Sequence, residues 1–146
     1  MSATLQVQSH GFSTTKRQLL QFANQNFQQE LLESIGAMVE SQTRQRIQED
    51  KTGPDGKAWP KWSERYGKTR NSGQSLLQNE GDLLDSIQYL VNGKEVEIGS
   101  NLVYAATHQY GDEARSIPAR TFLGLSDENE RELDDLIQGF IQDLLT

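Results

Sequence analysis

The chain has 146 residues, no cysteine, 34% hydrophobic residues and a formal charge of −7, with a mean hydropathy of −0.71. That length suits one domain with a real core, and the missing cysteines exclude disulfide frameworks and Cys-based metal sites. No apolar run approaches the roughly 18 residues of a membrane span.

Residues 1–13 lack the charged start and apolar core of a signal peptide, so the expectation is a chain made soluble inside the cell. The low hydropathy suits a protein whose arms order against neighbours. Charge is unevenly spread. Residues 1–50 carry a net of −1, residues 51–75 a net of +4 and residues 76–146 a net of −10. A basic segment inside an acidic chain disfavours general nucleic-acid binding and favours contact with an acidic neighbour.

In chain order, residues 4–8 alternate apolar and polar and predict a short strand. Thr14 or Thr15 can cap a helix that ends near Asn24–Asn26. Phe27, Leu31, Leu32, Ile35, Met38 and Val39 recur at helical spacing and predict a long helix over 27–49. Its pattern fades beyond Gln42, which predicts less burial there, or cover from another subunit. The run Lys51-Thr-Gly-Pro-Asp-Gly56 is a turn. From there to Gly73 no period persists, which reads as a mobile basic loop spanning 51–75, with one helical turn over Ser63–Tyr66. Gly81-Asp82 can start a short helix. Residues 86–91 and 94–99 flank Asn92-Gly93 and predict a β-hairpin with a type I′ turn.

Val103, Tyr104, Ala106, Thr107 and Tyr110 form a short amphipathic piece, followed by a polar turn and an Ile117-Pro-Ala-Arg120 corner that aims the last helix. That helix is predicted over 127–145, capped by Ser126, with Asp127, Glu128 and Glu130 where the helix dipole favours acids. Gly139 inside it suggests close packing. The fold class is therefore α+β: a small antiparallel sheet holding the 86–99 hairpin, packed by the long helix and the C-terminal helix, as one domain over 1–146.

Candidate chemistry is sparse. His108 lies four residues after Tyr104, on the same helix face, but has no Ser, Cys or carboxylate at motif spacing for general-base work. His108 with Asp112 is a weak metal pair, and the acids of 127–135 lack the spacing of a calcium loop. Gly53-Pro-Asp-Gly56 is not followed by a phosphate-binding helix start. No catalytic residue, metal or cofactor is assigned, and an enzyme is not expected. Trp59, Trp62 and Tyr66 interleave with Lys61 and Arg65. Such a segment can stack bases and neutralise phosphates, which makes a nucleic-acid-contacting module the alternative. Trp is also a common interface anchor, and the acidic whole chain favours a protein interface. The interface candidates are Trp59, Lys61, Trp62, Arg65, Tyr66, Tyr104, His108, Tyr110 and Arg120.

Three stretches carry a family resemblance. They are Pro54-Asp-Gly-Lys-Ala-Trp-Pro-Lys-Trp-Ser-Glu-Arg-Tyr66, Leu76-Leu-Gln-Asn-Glu-Gly-Asp-Leu-Leu-Asp-Ser-Ile87, and Val96–Gly111 together with Ile117-Pro-Ala-Arg-Thr-Phe-Leu-Gly124. In this order they resemble the phage virion-morphogenesis family, the tail-completion proteins of Mu-like tailed phages and prophages. Thr121 stands where Pro is usual after Pro-Ala-Arg, and Trp62 where Leu is usual. The resemblance implies a structural protein that completes the head-proximal end of the tail so that it joins the head. It further implies a homo-oligomeric ring, a hexamer being one candidate. The implied contacts are the tail tube or tail terminator and the head connector or neck proteins. The implied location is the virion tail or neck, with the host cytoplasm during assembly; neither nucleic acid nor membrane is an expected partner.

Overall fold

The computed structural model describes residues 3–8, 25–71, 73–78 and 81–145; the helix predicted from Thr14 to Asn26 falls mostly outside them. The architecture is α+β. In chain order the elements are β1 (Ala3–Gln8), α1 (Gln25–Gln45, extended by a π-helical turn over Arg46–Asp50), α2 (Glu64–Gly67) and α3 (Asp82–Ser86). Then come β2 (Gln88–Asn92), β3 (Glu95–Ser100), α4 (Ala105–Tyr110) and α5 (Asp127–Leu145). The strands form one antiparallel sheet in the order β1-β3-β2.

One face of the sheet meets α1, and α5 packs on α1 in turn. Leu31, Ile35 and Val39 from α1, Val96 and Ile98 from β3, and Leu133, Ile137 and Ile141 from α5 are all buried in one cluster. Phe27 meets Phe140 edge-on, ring centroids 5.6 Å apart. Glu95 and Glu97 alternate with Val96 and Ile98 and are less buried, as a half-wet sheet requires.

The hairpin forms one residue out of step with its sequence signal. Asn92 pairs with Glu95, so the loop residues are Gly93 and Lys94. Only Gly93 has positive φ, at 63°, which is the pattern of a type II′ turn rather than type I′. The reason is side-chain pairing across the strands. The observed register sets Val91 opposite Val96 and Tyr89 opposite Ile98, whereas an Asn92-Gly93 loop would set Val91 against Lys94.

One face of the end of α1 is also buried, although its apolar pattern fades there. Thr43, Arg46 and Ile47 are enclosed by the chain itself. Thr43 continues the stripe because its hydroxyl donates to Val39 O at 2.8 Å, leaving its methyl for the core. The π turn closes with Lys51 N on Arg46 O at 2.9 Å, and Lys51 caps it at φ 55°. The extra residue brings Arg46 inward, where its guanidinium donates to Phe122 O at 2.6 Å, Gly124 O at 3.3 Å and Asn129 Oδ1 at 2.6 Å. One cation thereby ties α1 to the segment that launches α5. Ser126 caps α5: its hydroxyl accepts from Asn129 N at 3.1 Å, and Asn129 Oδ1 accepts from Ser126 N at 3.2 Å. This is a reciprocal box with Asn in the usual Glu/Gln place.

The basic segment is tied down at its start. Thr52 and Ala58 form a bridge around the Gly53–Gly56 turn. Lys51 Nζ donates to Ser75 Oγ at 3.0 Å, Leu76 O at 2.8 Å and Gln78 Oε1 at 2.9 Å, and also to Ile47 O. Ser63 caps α2 by accepting from Tyr66 N.

Candidate docking surface

Trp59 is turned into the core and is only 5% exposed. Its indole Nε1 donates to Thr121 O at 2.9 Å. It therefore holds the basic segment against the chain's own corner and cannot offer an indole to a neighbour. Arg120 is likewise inward. Its Nε donates to Pro60 O at 2.8 Å and its Nη2 to Lys61 O at 3.1 Å, while its backbone N donates to His108 O at 2.7 Å. Thr121, in the usual Pro place, donates its hydroxyl to Gln109 O at 3.2 Å. The Ile117–Arg120 corner is thus pinned at Asp112↔Ile117, at α4 and at the basic segment at once.

On this frame stands a groove of about 200 Å³, whose walls include Trp62, Tyr66, Arg70, Leu77, Tyr104 and His108. Trp62 meets Tyr66 edge-on, centroids 6.0 Å apart, and Tyr104 meets His108 the same way at 5.6 Å. The Arg70 guanidinium lies 4.5 Å from the Tyr66 ring centroid, in cation–π range. Tyr66 remains 48% exposed, and Lys61, Arg65 and Lys68 are exposed beside it. Four of the interface candidates therefore converge: Trp62, Tyr66, Tyr104 and His108. Lys61 and Arg65 belong to the surrounding surface, and Trp59 and Arg120 are the supports underneath.

Tyr110 lies outside the groove lining and is 70% exposed. The helix α4 does not bury the residues its sequence suggests. Ala105 is its buried contact, while Val103 just before it is 79% exposed. Arg70 was outside the sequence-based set, although it follows Tyr66 by four, the spacing that stacks two side chains on one helical turn. Leu77 was also missed. It sits at φ 60° beside the Ser75–Gln78 bridge, and nothing local in the sequence signals that conformation.

His108 is half-buried, and its Nδ1 has no hydrogen-bond partner among the described residues. Burial, and secondarily the nearby Arg120 charge, hold it below its ordinary value of 6.5, so it is neutral at neutral pH. Ser75 and Asp82 line the same groove. Neither engages His108: the Ser75 hydroxyl is held between Lys51 Nζ at 3.0 Å and Gln78 Oε1 at 3.1 Å. No group of three or more His, Asp or Glu among the described residues is placed to hold a metal. No helix among them is long and apolar enough to cross a membrane. What the groove offers is aromatic faces, a stacked guanidinium and surrounding cations.

Residues 10–142 match the model of the phage virion morphogenesis family. The chain is 31% identical over 114 residues to protein G of Escherichia phage Mu, which is named for capsid assembly, covering 71% of this chain and 73% of that one. It is 32% identical over 121 residues to the Mu-like prophage FluMu G protein 2 of Haemophilus influenzae, covering 79% of each. No solved structure matches the chain. The three motif stretches all lie inside the matched span, and the chain belongs to the phage virion morphogenesis family.

Proposed function

We propose that this protein is a non-enzymatic structural component that completes the head-proximal end of a phage tail and enables head–tail joining, acting as a ring oligomer. Its contacts are further copies of itself, the tail tube or terminator, and the head connector or neck proteins. It works in the virion neck after assembly in the host cytoplasm. The observation that carries this reading is the aromatic groove with exposed cations beside it, set on a chain of net charge −7 that belongs to a virion-assembly family. Such a surface gains contact area from Trp62 and Tyr66 and orientation from the cations, which is how a protein interface is anchored and steered. Support for a non-catalytic role comes from His108, whose Nδ1 meets neither Ser75 nor Asp82.

The test is electron microscopy of particles from the encoding phage or prophage. Particles lacking the chain, or carrying Tyr66→Ala with Arg70→Ala, are expected to accumulate as separate filled heads and tails. Normally joined, infectious particles from both would overturn the reading. A gel shift at low salt separates the nucleic-acid alternative, which requires retarded DNA whose binding falls steeply as salt rises.

A further inference from the structure

A second concave surface lies between the end of α1, the Gly53–Gly56 turn and the start of α5, and encloses about 630 Å³. Among the described residues it shares no lining residue with the groove. Asp50, Asp55, Asp127, Glu128 and Glu132 line it, and all are exposed. Among the described residues the one cation in its lining, Arg46, points its guanidinium into the chain, at Phe122 O, Gly124 O and Asn129 Oδ1. Gln42 also lines the cleft. Its amide nitrogen donates to Asn129 O at 3.4 Å, while its buried Oε1 has no partner among the described residues. The cleft therefore holds acceptors in excess of donors.

The α2 surface has the opposite balance. Lys61, Arg65 and Lys68 are exposed, Arg70 is stacked on Tyr66, and Glu64 on the same helix lies 3.8 Å from Lys68. We infer that the α2 surface of one copy docks in the acidic cleft of a second copy, Arg65 and Lys68 facing Glu128 and Glu132, with Tyr66 as the central contact. This rests on the docking reading above and names the partner: another copy of this chain. Arg donors match carboxylates in forked pairs, and Tyr supplies contact area with few rotamers to freeze. Because donor and acceptor surfaces differ, the contact is heterologous, and repetition closes a ring when the rotation permits.

Sedimentation velocity on the full chain across concentration tests this. The natural chain is expected to self-associate, and less so as ionic strength rises, since exposed pairs are screened over about 10 Å at 0.1 M salt. Arg65→Glu with Lys68→Glu should weaken association about tenfold or more, as should Glu128→Lys with Glu132→Lys, because each places like charges together. The chain carrying all four changes should regain it. All four side chains are exposed, so circular dichroism should stay native; if a reversal unfolds the chain, the corresponding Gln pair replaces it with a smaller loss expected.

A natural chain that stays monomeric throughout overturns the contact. So does association indifferent to both reversals, or a fourfold variant that stays dissociated. If the chain is monomeric but Arg65→Glu with Lys68→Glu still yields unjoined heads and tails, the self-contact falls and the assembly reading stands. If association behaves as stated but the same variants give normal particles, the assembly reading falls and the contact stands.

Discussion

Arg46 and His108 show how single residues govern this molecule. Burial depresses the Arg46 guanidinium, with Asp50 opposing that shift, yet it stays a cation because three acceptors surround it. Replacing it with Met keeps apolar volume but strands two backbone carbonyls and Asn129. Since hydrogen bonds from charged groups contribute about 1.5–3 kcal/mol each and are not additive, Arg46→Met should cost about 3 kcal/mol in urea unfolding. For His108, the folded chain binds its proton at lower pH than the unfolded chain, whose imidazole titrates near 6.5. Its contribution is therefore intact above that value and lost as pH falls through it toward the folded one. His108→Gln should unfold with a shallower loss of stability as pH falls below about 6.5, and identical slopes for the two chains would refute the assignment.

At the scale of the element, two helical glycines should respond in opposite directions. A Cβ on Gly36 would lie 2.3 Å from Tyr89 Cδ2 and 2.7 Å from its Cγ, so α1 rides close to β2 only because no side chain intervenes. Gly36→Ala should therefore destabilise the fold by about 2 kcal/mol through overpacking. Gly139 has open space around it, which corrects the close-packing expectation. Gly139→Ala should stabilise the chain by about 1 kcal/mol through helix propensity, read as a higher thermal midpoint. The contrast was not visible in sequence, because a glycine in a helical pattern looks the same whether an aromatic ring or solvent lies opposite. The hairpin shift has a similar origin. Asn-Gly is a local turn preference, and the pairing of Val91 with Val96 across the strands outweighs it.

For the whole molecule, the core cluster draws on α1, the sheet, α3, the basic segment through Trp59, and α5. We propose on that ground that the chain is a single folding domain. Tryptophan fluorescence, which reports Trp59 and Trp62, and far-UV circular dichroism should give coincident urea transitions. A separate early fluorescence transition would mean that the 51–75 segment unfolds on its own. The charge split between the α2 surface and α5 operates at this scale too, and in the proposed self-contact it would set the cations of one copy against the acids of the next.

The sequence by itself determined what depends on local pattern. Apolar spacing specified α1 and α5, Ser126 specified a helix start, alternation specified the strands, and the ordered motifs specified the family. The tertiary structure alone decided where residues of mixed character face. Trp59 and Arg120 carry polar groups that suit either solvent or the interior. They turned inward because the carbonyls of Thr121, Pro60 and Lys61, distant in sequence, satisfy their donors. Tyr66, whose ring meets the edge of Trp62 and the Arg70 guanidinium at the surface, stays about half exposed. Local spacing records the period of an element, whereas the satisfaction of a buried donor depends on acceptors that only the folded chain brings near.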